Sequence, residues 1–446
     1  MHDSHHATLV AADRIEFHAP EDLKPYAGNA RTHSRKQIQQ IADSIVRFGF
    51  TNPVLVAGDL SILAGHGRVM AARQLGLRSV PVVRLSHLSD AEKRAYVLAD
   101  NKIAERAGWD QDILALELQA LIDLDFDLDI TGFEISEIDV ILEGTKAARV
   151  DDRRDCIPET RSGPAITRPG DIWTLGPHTL HCGDAGDAEA HARLSGGREM
   201  DMIFTDPPYN VRIDGHVTGK GRHRHREFVQ ASGEMSSDDF KRFLARTLGQ
   251  AAKHCRDGAI AFVCMDWRHM LELLEAGGTA FTELKNLCVW NKTNAGMGSF
   301  YRSKHELIFV YKIGSAPHVN SFSLGETGRY RTNVWDYPGV NVPGDASREA
   351  LSMHPTVKPV AMVEDAIKDC SARGHRILDP FAGSGTTLIA AEACGRIAHV
   401  MELDPAYCDT ILERVSKVAG IDAVHRDTGK TWSAARLARI AGKESA

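Results

Sequence analysis

The residues most able to do chemistry are Thr205-Asp206-Pro207-Pro208-Tyr209, directly after the apolar run Met200–Phe204. Two prolines in succession fix φ and supply no N–H, so the turn offers carbonyl oxygens as acceptors beside the Asp206 carboxylate. Two acceptors side by side suit the N–H groups of an exocyclic amine. Tyr209 adds a flat ring, and stacking of a base on such a ring is worth about 1–3 kcal/mol in single-strand binders. An isolated Asp-Pro is usually only a turn; the whole tetrapeptide at the end of a buried strand points further.

A second group is Asp379-Pro380-Phe381-Ala382-Gly383-Ser384-Gly385-Thr386-Thr387, between the apolar stretch Arg376–Leu378 and a helical pattern from Thr386 to Cys394. Gly383 and Gly385 permit close backbone approach, and a helix N-terminus presents N–H groups and positive dipole to a carboxylate. Glu402 ends the next apolar run, 19 residues past Gly383, where an acidic side chain can bind ribose hydroxyls. No Lys follows the second glycine and Leu388 fills the third position of a G-x-G-x-x-G pattern. A phosphate-cradling loop and a dinucleotide fingerprint are both incomplete, so the expected ligand is another nucleoside.

These turns require a sheet that delivers them to one edge. Candidate strands run through Asp171–Leu175, Thr179–Cys182, Met200–Phe204, Ala259–Cys264, Leu287–Asn291, Leu307–Tyr311, Arg376–Leu378 and Ala398–Met401, with helical patterns between most of them. That rhythm predicts a largely parallel sheet with ligands at the carboxyl ends of its strands. Before it, Ile38, Ile41, Ile45 and Val46 repeat at helical spacing up to Gly49, and Pro53–Ala57, Ile62–Ala64 and Val80–Leu85 read as strands of a small α/β unit. Residues 90–142 are helical and acidic. Residues 151–168 have little periodicity and read as a linker, giving domains at 1–150 and 169–446.

Composition agrees with a soluble multidomain chain of 446 residues, 43% hydrophobic, carrying 53 Lys+Arg against 60 Asp+Glu for a formal charge of −7. With no global basic excess, nucleic-acid contact must be local. Residues 1–150 hold 16 basic and 22 acidic side chains, whereas 285–360 holds nine Lys/Arg against five Asp/Glu, enough for a positive groove. Eight scattered cysteines form no C-x-x-C pair, so reduced thiols and no zinc or other metal site are expected. No apolar run approaches a membrane span or signal peptide, which makes the cytoplasm the expected compartment.

Asp206–Tyr209, Asp379–Thr387 and Glu402, together with His354-Pro355-Thr356-Val357-Lys358-Pro359, resemble the amino-methyltransferases that modify DNA with S-adenosylmethionine. The resemblance covers roughly 168–420. Catalytic turn, recognition region, His354–Pro359 and glycine loop follow in the order of the circularly permuted beta group. It implies a Rossmann-like methyltransferase domain of mostly parallel sheet in permuted order. It implies that Asp206 and the carbonyl of Pro207, with Pro208 fixing the turn, hold the target amine while Tyr209 stacks on a flipped base. It also implies that Phe381, Gly383, Gly385 and Thr386 surround the methionyl moiety, that Glu402 binds the ribose diol, and that Thr356 and Lys358 meet the methionine carboxylate. Asp184 matches the acidic residue near the cofactor adenine, with a helix N-cap as the equal alternative; Asp379 shares that ambiguity. Asp before Pro-Pro-Tyr resembles the adenine N6 subgroup, with cytosine N4 the second reading.

Residues 211–235 are polar, glycine-rich and basic, as suits a lid over the site in which Arg222, Arg224 and Arg226 meet DNA phosphate. Alternating cations there disfavour a metal. Between 313 and 353, Arg329, Arg331 and Asn333 accompany Trp335 and Tyr337, a mixture suited to target recognition in double-stranded DNA, though the two aromatics could equally form a small core. Permuted relatives often dimerise, so a homodimer is among the expected assemblies.

Residues 14–102 resemble the amino-terminal domain of ParB-type partition proteins, a fold shared with sulfiredoxins, through Tyr26–Arg31, Gly49–Val56 and Ile62–Arg68. The resemblance makes Gly65, His66, Gly67 and Arg68 a candidate nucleotide site. Partition proteins show Gly-Glu-Arg-Arg here, so His66 and Gly67 depart from them and leave Arg68 alone for phosphate. A DNA-contacting or dimerising accessory domain is the equal alternative. A partition-like DNA-binding adaptor with an inactive second domain is the competing class.

Overall fold

The structure, a computed structural model, describes residues 14–105, 109–124, 126–145, 152–158, 164–211, 231, 233–292, 300–321, 331–338 and 357–440. The chain divides into two compact units, Met1–Ala147 and Ala148–Ala446.

The first unit holds a four-stranded sheet in the order β1-β4-β2-β3, formed by β1 (Glu16–His18), β2 (Val54–Ala57), β3 (Ile62–Ala64) and β4 (Val80–Leu85). Helix α1 (Arg35–Phe48) starts at Ser34, whose side chain accepts the Gln37 N–H, and stops at Gly49 with φ +82°. It packs on α2 (His66–Gln74) through Ile38, Ala42 and Ala71. Gly67 is required at that contact: a Cβ there would lie 2.9 Å from Ile41 Cδ1 and 3.2 Å from His33 Cε1. The acidic stretch forms α3 (Asp90–Glu105), α4 (Gln111–Asp123) and α5 (Ile135–Thr145), of which α4 and α5 share a core of Leu114, Leu118, Ile138 and Leu142.

The second unit is built on a ten-stranded sheet among the described residues. Its members are β5 (Ile172–Leu175), β6 (His178–Cys182), β7 (Met200–Thr205), β8 (Cys255–Met265), β9 (Glu283–Lys292), β10 (His305–Lys312), β11 (Val334–Tyr337), β12 (Arg376–Asp379), β13 (Ile397–Glu402) and β14 (Val424–His425), in the order β11-β9-β10-β8-β7-β12-β13-β6-β5-β14. The middle, β8-β7-β12-β13-β6, is parallel. Antiparallel pairs flank it, β10 against β8 and β9 on one side and β5 against β6 and β14 on the other. Short β1, β11 and β14 were not expected from their composition; each is an edge strand held by a single neighbour.

Helices cover both faces, as an all-buried parallel sheet demands. One layer is α9 (Val360–Cys370), α10 (Thr386–Ala393) and α11 (Pro405–Ala419), whose Val363, Ile367, Leu388 and Ile411 share a core with Met202, Phe204 and Phe262. The other includes α6 (Ala188–Ser195), α7 (Ser237–Lys253) and α8 (Met270–Ala280), where Phe240, Leu244, Leu248 and Leu273 pack with Ile203, Ala261 and Val263. Alternate residues of β7 thus enter opposite cores, the two-residue period of a strand buried on both faces. A final helix, α12 (Trp432–Ile440), buries Trp432 beside Trp173 with ring centroids 5.7 Å apart.

The segment expected to be a linker is partly anchored instead. Arg154 reaches Glu364 at 2.8 Å, the Val360 N–H donates to Asp155, and Asp409 accepts the N–H groups of Ile166 and Thr167. Within it Asp152–Asp155 form a short 3-10 helix, and side chains hold the rest of these contacts.

Candidate active site

The two motif-bearing strands are neighbours: Ile377 of β12 pairs with Met202 of β7, and Leu378 with Ile203. Both turns therefore leave the sheet at the same carboxyl edge. Thr205 Oγ1 donates to Asp379 Oδ1 at 2.9 Å, Thr387 Oγ1 donates to Oδ2 at 2.6 Å, and the Phe381 N–H reaches Oδ1 at 3.1 Å. Asp379 is 3% exposed, so this carboxylate is spent inside the protein and braces the glycine turn. Burial raises its pKa to about 6, with those three donors opposing.

Gly383 (φ +53°) and Gly385 (φ +83°) take the left-handed conformation the turn needs. A Cβ on Gly383 would meet nothing within 4 Å, whereas one on Gly385 would come within 3.0 Å of Ile411 Cγ2. The first glycine thus faces open space and the second faces packing. The Gly383 N–H donates to Glu402 Oε2 at 2.9 Å, and the Asp404 N–H donates to Oε1 at 2.9 Å. Burial raises the Glu402 carboxyl to about 7 in spite of these donors. Behind the turn, the wholly buried Arg414 donates to the Ser384 carbonyl and to the hydroxyls of Ser384 and Thr386. Sequence reasoning missed this arginine, which sits on a helix with no motif around it.

Asp184 Oδ1 accepts the Gly186 N–H at 2.7 Å, and the N-cap of α6 is Asp187, not Asp184. Phe381 packs against Phe243 with centroids 5.9 Å apart. Thr356 lies outside the described residues. Lys358 pairs with side chains of the Asp206–Tyr209 turn and of β10. Its Nζ lies 2.6 Å from Asp206 Oδ2, 3.0 Å from Glu306 Oε2 and 3.1 Å from Tyr209 Oη.

In the catalytic turn the Tyr209 hydroxyl donates to Asp206 Oδ1 at 2.6 Å and lies 3.2 Å from Glu306 Oε2. Lys358 Nζ stands 5.4 Å from the Tyr209 ring centroid. Burial raises the Asp206 pKa, the Lys358 ammonium works against that rise, and Glu306 adds to it. Asn210, with φ +54°, closes the turn: its side chain accepts the Gly233 and Met235 N–H groups and donates to the Met235 carbonyl. Glu306 and Asn210 were not foreseen. The signal for Glu306 was a charge at the head of an apolar strand, but only the antiparallel pairing of Leu307 with Met265 brings that head to the carboxyl edge of β7 and β8.

Of the residues expected to meet DNA, Arg222, Arg224, Arg226 and Arg329 lie outside the described residues. Arg331 is partly buried and Asn333 is exposed, and each has a partner within the protein. Arg331 Nε donates to Asp369 at 2.9 Å, and its guanidinium also reaches Tyr337 and Asp365 and stacks over Trp335 at 5.1 Å. Asn333 Nδ2 donates to the Leu287 carbonyl. Trp335 is 4% exposed and anchors the edge strand β11, whose Val334 and Asp336 stay exposed.

In the first unit, Gly65 (φ +100°) precedes α2, His66 Nε2 accepts the Tyr26 N–H at 3.3 Å, and Arg68 donates to the Asn52 and Pro53 carbonyls. All four candidate residues lie at the start of one helix, with the Arg68 head bound to backbone.

A parallel-centred α/β sheet that presents an acidic prolyl turn and a glycine turn on adjacent strands defines a Rossmann-like methyltransferase. Residues 200–413 match the model of the DNA methylase family of N6/N4 type, and residues 5–102 match the ParB N-terminal domain. The chain thus carries an N6/N4-type DNA methylase domain and, ahead of it, a ParB-type domain. Residues 112–169, the stretch that includes most of the acidic helices α4 and α5, match the helix-turn-helix domain of ParB-methyltransferases.

Among similar proteins, the ParB-like nuclease domain-containing protein YnaK of Escherichia coli K12 is 52% identical over 81 residues, 18% of this chain and 93% of that protein. DNA adenine methyltransferase YhdJ of the same organism is 24% identical over 288 residues, 57% of this chain and 91% of that protein. The solved complex of M1.HpyAVI with SAM superposes with TM-score 0.39 at 19% identity, covering 53% of this chain and 98% of that one.

Proposed function

We propose that the chain transfers a methyl group from S-adenosylmethionine to the N6 amine of adenine at a specific sequence in duplex DNA, acting on a base flipped out of the stack. The observation that carries this reading is the meeting on adjacent strands of the Asp206–Tyr209 turn and the Gly383–Glu402 pair, joined by the Thr205–Asp379 hydrogen bond. Asp before Pro-Pro-Tyr and the likeness to an adenine methyltransferase favour adenine.

The residues present fit the cofactor. Gly383 opens onto free space beside a carboxylate already fixed by two backbone N–H groups, so Glu402 can accept ribose hydroxyls without reorganising. The N-terminal turn of α10 presents its positive end to a carboxylate. When bound, the cofactor supplies a methyl group on a sulfonium, an electrophile that needs no enzyme nucleophile.

The protein's task is then to orient the amine. Asp206 and the Pro207 carbonyl accept its two N–H groups, which localises the nitrogen lone pair for in-line attack. As the N–C bond forms and the S–C bond breaks, the amine becomes more acidic and its surplus proton leaves along the hydrogen bond to Asp206. Tyr209 stacks on the base, offsetting part of the few kcal/mol that unstacking costs.

The test is base-resolution methylation mapping of DNA from cells expressing wild-type chain or Asp206→Ala. A single motif bearing N6-methyladenine only with wild type is expected. N4-methylcytosine at the motif replaces adenine with cytosine, and absence of both marks overturns the reading.

A further inference from the structure

Four charged groups and one phenol from four separate segments meet at the carboxyl edge. Asp206 and Tyr209 come from the turn after β7, Glu306 from the head of β10, Lys292 from the end of β9, and Lys358 from just before α9. Lys358 is 4% exposed, and its ammonium touches both carboxylates, at 2.6 Å for Asp206 and 3.0 Å for Glu306. Lys292 holds the other Glu306 oxygen. Two carboxylates and two ammoniums balance, which is what burial requires.

This arrangement engages Asp206 before any substrate binds. Both Asp206 oxygens are occupied, Oδ1 by the Tyr209 hydroxyl and Oδ2 by Lys358 Nζ. Each oxygen can accept a second donor, so an exocyclic amine that uses Asp206 either joins these groups or takes the place of one of them. The ammonium brings N–H donors to the Asp206 carboxylate beside the Tyr209 ring, the same kind of donor that a target amine brings to that acceptor and ring. The other Lys358 partner, Glu306, is already oriented by Lys292 and needs no movement to keep the ammonium paired.

We propose that Lys358 is a placeholder for the target amine and that Glu306 is the positioning residue that retains its ammonium when the base enters. Asp206 Oδ2 then changes partner from Lys358 to the amine, and no buried charge is left alone. The inference rests on the reading of Asp206 as the acceptor of the amine. Without Glu306 the ammonium loses its second carboxylate, so releasing Asp206 strands a buried charge. Burial pushes Glu306 up, yet Lys358 and Lys292 hold it down at about 2, so it stays charged throughout the working range. The titratable groups facing Asp206 are Tyr209, Glu306 and Lys358, with the Cys264 thiol of β8 and Asp379 of β12 beyond them.

The experiment compares full-length wild type, Glu306→Gln and Glu306→Asp in methyl transfer to duplex DNA carrying the mapped motif, from about pH 5 to about pH 9. Glu306→Gln is expected to lower kcat/KM for DNA about 10-fold or more, with the affinity for S-adenosylmethionine retained. Removing a like charge beside Asp206 is also expected to shift the acid limb down by about one pH unit. Glu306→Asp keeps the charge at shorter reach, so it should fall between the two and keep the wild-type limb; it carries the test alone if the Gln variant does not fold. Unchanged kinetics in a variant overturns the inference, as does a loss equal at every pH or a loss of cofactor affinity. Absence of transfer by the wild-type chain overturns the reading of Asp206 itself.

Discussion

Thr205 and Asp379, 174 residues apart in sequence, share a 2.9 Å hydrogen bond between the hydroxyl and a buried carboxylate. The last residue of one parallel strand is thereby tied to the last residue of its neighbour. The turns that follow them, Asp206–Tyr209 and Pro380–Gly385, are held relative to each other by it.

Asp379→Ala should therefore act on stability first. It strands the hydroxyls of Thr205 and Thr387 and the Phe381 N–H, and the expected cost is about 2–3 kcal/mol in denaturant unfolding. Thr205→Val, which removes one donor and keeps the shape, should cost about 1 kcal/mol.

Asp206→Ala should abolish methyl transfer, a loss of about 10³-fold or more, while calorimetry still finds the cofactor bound. The cofactor turn is built on β12 and β13 and does not touch the Asp206 carboxylate.

Glu402→Gln should separate stability from binding. The native carboxyl, raised from 4.5 to about 7, holds more protons than the unfolded chain between those values. Stability therefore falls as pH rises through that window. At pH 8 the ligand-free Gln variant should be more stable, on the order of 1 kcal/mol, with a higher thermal midpoint. Its affinity for S-adenosylmethionine should drop about 10-fold or more, as a charged acceptor is lost.

Arg331→Ala should destabilise the second unit by about 2 kcal/mol, because the buried Asp369 loses a guanidinium partner. The slope of DNA affinity against salt should be unchanged, since a side chain paired internally releases no counterion on binding.

Gly67→Arg, which restores the residue that partition proteins show, should loosen the first unit by about 1–3 kcal/mol. The new side chain would start within 2.9 Å of Ile41. Amide exchange in α1 and α2 of the full chain is the direct measurement.

Much of the site was legible because its residue types are unusual and contiguous. Asp206–Tyr209 and Asp379–Thr387 each sit at a strand end where backbone conformation and ligand chemistry make demands that few residues meet, so local sequence specified them. The apolar runs placed the central strands for the same reason: a strand buried on both faces leaves a continuous signature.

Other features depended on pairing. Lys358 carries no local sign that it faces Asp206, and Glu306 none that it stands beside Tyr209. Arg331 stands among polar and aromatic neighbours, and nothing near it in sequence signals its carboxylate partners, which lie on α9, over 30 residues away. Charge pairing across a sheet edge depends on strand order and direction, which periodicity does not encode. The sequence by itself determined which residue types stand at the two strand-end turns; the tertiary structure decided which charges stand next to Asp206, because only the folded sheet brings four distant segments to one edge.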